Sequence, residues 1–206
     1  MKNKAQTQVI TIVLISGIVI SLVGTAYLWG VPLISKRTSI SDFMASEDFI
    51  VKLDSKIVDL ANRGAGTFSL TIPKGLIKVI DYGASSPDNN SIILDVLVSQ
   101  PLISTDSNVV LKTSVLGENA TYGEAEPRII TMSSKAYGSS YKLALKLHYR
   151  ELDMKDESKG YMISLKSGTV SGITGANEII LSYKETQHVT RDGMDIALTI
   201  IQVDLA

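Results

Sequence analysis

The chain has 206 residues, of which 45% are hydrophobic and 20% charged, with a formal net charge of −1 and no cysteine. Near-neutral charge without a Lys/Arg cluster argues against nucleic acid as a partner, and the lack of cysteine excludes disulfides and thiolate chemistry. A single uncharged stretch reaches membrane-spanning length, which argues against a multi-span transporter. The rest of the chain is long enough for one packed domain.

A long apolar segment follows a short basic leader. Residues 9–34 carry no charge, and as a helix they would extend about 39 Å against a hydrocarbon core of about 30 Å. A cleavable secretory signal is the alternative, but the run exceeds the roughly 7 to 15 apolar residues of such signals and no small-x-small cleavage site follows it. The sequence therefore predicts a retained transmembrane helix over residues 6–35, in contact with the lipid bilayer.

The junction before this helix has its own pattern. Positions 4–7 read Lys-Ala-Gln-Thr, a basic, a small and a polar residue directly before the hydrophobic run. This pattern resembles the class III leader of archaeal type IV pilin-like proteins, over about the first 35 residues. The resemblance implies a leader of residues 1–5, cut between Ala5 and Gln6 by a prepilin peptidase. It departs from many bacterial pilins at the fifth mature residue, Ile10, where they carry a glutamate.

The same resemblance implies an extracellular C-terminal domain and a helix that polymerises with copies of itself. Small residues recur within the predicted helix at three- and four-residue intervals: Ser16, Gly17, Ser21, Gly24 and Thr25. This spacing predicts a helix-packing surface, because residues three or four apart share a helix side and small ones let backbones approach closely. The alternative is a lone anchor, in which Gly and Ser are common without any partner.

The end of the apolar run has the features of a membrane interface. Aromatic residues and the Lys36-Arg37 pair follow one another there, but basic residues flank both ends of the segment, so the positive-inside rule does not decide its orientation. Gly30 and Pro32 predict a kink or a short break.

Beyond the break, the sequence predicts an amphipathic stalk helix over residues 36–64. Apolar residues recur there every three or four positions, Ser39 or Ser41 is a candidate cap, and Arg63-Gly64 is a stop signal. The apolar stripe packs either against the domain that follows or against neighbouring copies.

Residues 65–206 show the alternation of β-strands and no helical run. Nine strands are predicted, with tight turns between them and an Asp192-Gly193 hairpin near the end. They cover residues 67–72, 76–80, 92–98, 109–115, 128–132, 142–149, 161–165, 179–183 and 194–203. The fold class is therefore mainly β with an N-terminal hydrophobic helix: a long kinked helix followed by an antiparallel β-sandwich head, as in pilin-like proteins.

Two Asn-x-Ser/Thr sequons, at Asn89 and Asn119, lie in turn-rich segments. They are glycosylation candidates, and a modified site would favour an extracellular domain. Such tripeptides are also expected by chance in a chain rich in Ser and Thr.

Residues for catalysis or metal binding are few. His148 and His188 lie on or beside different predicted strands without metal-ligand spacing, and nucleotide-binding loops and nucleophile motifs are absent. The acidic run from Glu151 to Glu157 could hold Ca²⁺ through oxygen ligands, but lysines interrupt it, so a solvated hairpin loop is favoured. We predict no enzyme activity, no cofactor and no metal.

Three functions remain. The leader and helix favour a structural subunit of an archaeal type IV pilus-like cell-surface filament. The alternative is a non-polymerising, membrane-anchored extracellular β-sandwich, acting as an adhesive, binding or stator module. An anchored sugar-handling or hydrolytic domain is the weakest of the three, because no convergent polar constellation is visible.

Overall fold

A computed structural model describes residues 2–103, 107–111, 128–154, 158–168, 172–174 and 177–206. One long helix, α1 (Lys2–Arg63), precedes eleven strands in this described part of the chain. The strands are β1 (Thr67–Thr71), β2 (Leu76–Ile80), β3 (Ser91–Val98), β4 (Val109–Val110), β5 (Arg128–Tyr137), β6 (Ser140–Tyr149), β7 (Leu152–Met154), β8 (Lys159–Ser167), β9 (Gly172–Thr174), β10 (Glu178–Arg191) and β11 (Met194–Leu205).

The strands form two sheets, which confirms the predicted fold class of an N-terminal helix followed by a β-sandwich. The five-stranded sheet has the order β1-β10-β11-β8-β7, and the six-stranded sheet has the order β4-β5-β6-β3-β2-β9. The pairing differs from an all-antiparallel arrangement at one place, because β8 and β11 run parallel. Between them the chain crosses to the other sheet to form β9, and such a crossover lets two strands of one sheet point the same way.

The C-terminal half of α1 packs against both sheets. Its stripe of Phe49, Ile50, Leu53, Ile57 and Leu60 is buried in one hydrophobic core with the inward-facing residues of the strands. The three- and four-residue spacing places these side chains on one helix face. The prediction that this stripe packs against the β-domain is confirmed.

The helix is continuous through Pro32, so a short break there and the predicted cap at Ser39 or Ser41 are wrong, while the alternative of a kink stays a prediction. A proline removes one helical hydrogen bond. The turn of α1 after Pro32 is contacted by the segment that follows β3. Ser99 Oγ donates to the Ser35 carbonyl at 3.3 Å and lies 3.0 Å from the buried Ser39 Oγ. The predicted stop is confirmed: α1 ends at Arg63, and Gly64 has a φ of +65°.

The predicted hairpin at Asp192-Gly193 is confirmed. Arg191 pairs with Met194, and both intervening residues have positive φ, as a type I′ turn requires. Two short strands, β7 and β9, were missed, and β7 lies in the segment predicted as an acidic loop. The predicted strand over residues 109–115 appears as β4, and its end lies outside the described residues.

Asn90 joins the two sheets through its side chain. It is buried, and its amide donates to the carbonyls of Tyr149 in β6 and Ile163 in β8 at 2.9 and 2.8 Å. Its Oδ1 accepts from the Leu165 N–H at 2.8 Å. The backbone has a φ of +55°, which asparagine tolerates better than most residues. These bonds fix the six-stranded sheet to the five-stranded one.

Candidate membrane and assembly surface

The N-terminal half of α1 is apolar on all sides. Every residue from position 10 to 34 except the half-buried Gly30 is exposed, including Ile20 at 71% and Trp29 at 82%. Within the described residues, this is the one helix long and apolar enough to cross a membrane, with a mean hydropathy of 2.2 over its most apolar window. The head covers none of that window.

A shallow groove runs along one side of this exposed helix. Gly17, Ser21 and Thr25 form its floor, and Val13, Leu14, Ile18 and Leu22 form its walls, with a volume of about 490 Å³. We call these seven residues the helix groove. A Cβ added at Gly17 or Gly24 would meet nothing within 4 Å, so the surface at both glycines is open.

The polar groups of the groove are satisfied within the helix itself. Ser21 Oγ donates to the Gly17 carbonyl at 2.9 Å, and Thr25 Oγ1 donates to the Ser21 carbonyl at 2.9 Å. A hydroxyl that bonds to the carbonyl four residues earlier presents little free polarity to an apolar neighbour.

Three of the five predicted packing residues line the helix groove, and two do not. Gly17, Ser21 and Thr25 lie together in the helix groove, whereas Ser16 and Gly24 do not line it. Ser16 is offset from Gly17 by about 100° around the helix and faces away from the groove, and a role in helix packing stays a prediction for all five residues. Gly24 is within about 20° of Gly17 by the same geometry and adjoins the groove without a side chain to line it.

The predicted leader junction lies in the first turns of α1. The backbone is helical at both Ala5 and Gln6. Cleavage between them stays a prediction.

The sequon at Asn89 lies in the connection between β2 and β3. Its side chain is half-buried, and Oδ1 accepts from the Gly83 N–H at 2.9 Å. Ser91 of the same sequon is fully buried, and its hydroxyl donates to the Asp88 carbonyl. Asn119 lies outside the described residues. Glycosylation at either site stays a prediction.

A buried charged cluster, missed from the sequence, holds the helix to the head. Asp54 is 2% exposed, and its two carboxylate oxygens contact Arg128 Nε at 2.8 Å and the Tyr149 hydroxyl at 2.9 Å. Burial, and then the nearby Asp54 carboxylate, raise the pKa of Tyr149 well above its usual range. We call these three residues the helix clamp.

A sequence signal for the clamp existed. Asp54 is four residues after Ile50 and three before Ile57, so it occupies the apolar face of the stalk helix. A charge on a buried face requires a partner, and that requirement could have identified Asp54.

The remaining candidates for chemistry lie apart. His148 is on the outer face of β6, where burial and then Lys146 lower its pKa, and His188 Nδ1 lies 3.1 Å from Asp195 in the exposed β10–β11 hairpin. Glu151 pairs with Arg191 at 3.0 Å, while the end of the acidic run lies outside the described residues. In the part of the chain that the structure describes, no group of three His, Cys, Asp or Glu residues could hold a metal ion.

Comparisons with protein-family models, with curated proteins and with solved structures find no match.

Proposed function

We propose that this protein is a structural subunit of an archaeal type IV pilus-like surface filament. The subunit is held in the bilayer by residues 6–35 before assembly and polymerises with copies of itself through the same helix, with the β-sandwich outside the cell. The observation that carries the proposal is the exposed apolar half of α1, which includes the helix groove.

The exposure of this half requires an apolar environment. Burying one Leu, Ile or Val side chain is worth about 1.5 to 3 kcal/mol, and the stretch at positions 10–34 exposes many of them. Lipid supplies that environment in the membrane. In a filament drawn out of the membrane, the helices of other copies supply it.

The helix groove supports packing against copies. Between helices in an apolar phase, close backbone approach and van der Waals contact drive association, and small residues three or four apart permit that approach. The groove presents Gly17, Ser21 and Thr25, and the hydroxyls of Ser21 and Thr25 already donate to carbonyls of the same helix. A second helix can therefore lie in it without leaving a polar group unsatisfied.

The second candidate is a membrane-anchored β-sandwich that does not polymerise and acts as a binding or stator module. The observation that favours it is the same internal bonding, because a helix whose hydroxyls are satisfied is also stable alone in lipid. The two candidates differ in one outcome, the formation of a polymer.

The test compares two single-residue variants in the native host. Gly17→Leu fills the helix groove, whereas Ser16→Leu adds a leucine about 100° away on the same helix. Both remain apolar enough to insert. We expect filaments in sheared cell-surface material by electron microscopy for the parent and Ser16→Leu, and a loss of at least about tenfold for Gly17→Leu, because the leucine wedges helices apart.

The same material tests the leader. N-terminal sequencing of the assembled subunit is expected to begin at Gln6. Filaments that retain Met1 would contradict the class III leader, and the absence of any polymer from the parent would leave the anchored module as the function.

A further inference from the structure

The outer face of the six-stranded sheet carries a cluster of lysines that the filament model does not use. Lys78 on β2, Lys135 on β5, and Lys142 and Lys146 on β6 line a groove of about 380 Å³ together with Asp88 and Asp95. We call these six residues the lysine groove. It lies on the head.

The charges in the lysine groove are partly compensated. Asp95 is 8% exposed and contacts Lys142 Nζ at 2.7 Å and Lys78 Nζ at 3.1 Å. Lys146 Nζ contacts Asp88 at 3.0 Å. Four ammonium groups against two carboxylates leave two positive charges in excess.

The excess is concentrated where β5 and β6 meet. Lys135 and Lys142 are directly opposite each other in the antiparallel register. Like charges in that arrangement destabilise a sheet, and Lys135 makes no ion pair within the described residues. An anion placed between these two lysines would remove the repulsion.

The other lining groups suit a hydroxylated ligand. Ser133 and Asn108 add a hydroxyl and an amide to the groove, and the two carboxylates can accept hydrogen bonds from ligand hydroxyls. Inorganic phosphate can pair with the lysines but lacks the set of hydroxyls that the carboxylates and the other polar groups would bind. The volume is within the range of small-molecule sites.

We propose that the lysine groove binds an acidic sugar, whose carboxylate lies between Lys135 and Lys142 and whose hydroxyls bond to the groove's polar side chains. The site would give the head a carbohydrate-binding activity. This inference does not depend on polymerisation, because every residue in it belongs to one head.

The test measures binding to the full-length protein in micelles of an uncharged polyoxyethylene detergent, which carries no sugar. Isothermal calorimetry at low salt uses three probes: a tetrasaccharide containing glucuronate, the same tetrasaccharide with its carboxylates reduced to alcohols, and inorganic phosphate. We expect the acidic tetrasaccharide to bind at least about tenfold more tightly than either other probe. Equal binding of phosphate, or binding of none of the three, would overturn the proposal.

A matched pair of variants locates the site. Lys135→Gln removes the lysine that faces Lys142 across the strand pair, and Lys166→Gln removes an exposed lysine from β8 in the other sheet. We expect Lys135→Gln to weaken binding of the acidic tetrasaccharide about five- to tenfold and Lys166→Gln to leave it unchanged. Equal weakening by both would overturn the proposal, because it would indicate attraction by net charge alone.

Discussion

The two halves of α1 have the same regular structure and opposite surroundings. Both halves bond hydroxyls back to the carbonyl four residues earlier, as at Ser21 in the first half and Ser46 in the second. The first half is apolar on every side and uncovered, whereas the second is apolar on one face and charged on the other. The distribution of charge around the helix, and not its helical character, therefore determines which half packs against the head.

The helix clamp is the largest single difference between the halves, because it buries a charge in the second half, whereas residues 9–34 of the first carry no charge. Asp54→Ala would leave the buried Tyr149 hydroxyl and the half-buried Arg128 guanidinium without their shared acceptor. Removing one partner of a buried ion pair lowers the free energy of unfolding by about 3 to 5 kcal/mol. Urea unfolding of the full chain in uncharged micelles, followed by circular dichroism, measures the loss.

Asp59→Ala is the control for the clamp. Asp59 pairs with Arg63 at 2.8 Å on the exposed side of the same half. Its removal is expected to change the free energy of unfolding by less than about 0.5 kcal/mol. Similar changes in the free energy of unfolding for both variants would show that the helix clamp contributes no more to stability than an exposed ion pair.

The same substitution, leucine to alanine, can be made once in each half of α1 to compare their contributions to the stability of the head. Leu53 is fully buried beside the sheets, and Leu22 is 64% exposed in the apolar half. Leu53→Ala is expected to lower the free energy of unfolding of the head by about 2 to 4 kcal/mol, through lost burial and a cavity. Leu22→Ala is expected to leave it unchanged in the same urea experiment. A loss in both would mean that the exposed half contributes to the stability of the head.

The smallest expected effect concerns alkaline pH. The pKa of Tyr149 is raised by burial and by Asp54, so the folded state keeps this hydroxyl protonated where the unfolded chain has released it. Its contribution to stability is complete below the usual tyrosine pKa, near 10, and falls as the pH rises above it. Each pH unit removes at most about 1.4 kcal/mol.

Tyr149→Phe is therefore expected to flatten the decline of unfolding free energy above pH 10. Tyr27→Phe, in the exposed half of α1, is the matched control and is expected to keep the parent's slope. Urea unfolding at a series of pH values compares the three proteins. If Tyr149→Phe and the parent had equal slopes, the raised pKa of Tyr149 would not be the cause of the decline.

Features set by local sequence could be predicted. The apolar run, the stop at Arg63-Gly64 and the Asp192-Gly193 hairpin depend on residues close together in the chain, and strand positions follow from alternation. The helix groove was predicted in part, because helical spacing places Gly17, Ser21 and Thr25 on one side.

Features that join distant segments could not be predicted. Asn90 resembles an ordinary turn residue until β6 and β8 are placed on either side of it. The parallel pairing of β8 with β11 depends on a crossover between sheets that no local pattern indicates. The lysine groove likewise exists only because β2, β3, β5 and β6 are neighbours in one sheet.

The pairing of β1 with β10 also has a consequence for synthesis. Thr67 pairs with Ser182, so β1, the first strand after the helix, has no partner strand until β10 is synthesised much later. At about 5 to 20 residues per second, that interval is on the order of ten seconds. During this interval α1 is complete and able to enter a bilayer, while the five-stranded sheet still lacks β10 and β11, which lie between β1 and β8. Until β10 and β11 are synthesised, the chain has its apolar helix but lacks two of the strands that pack against the second half of α1.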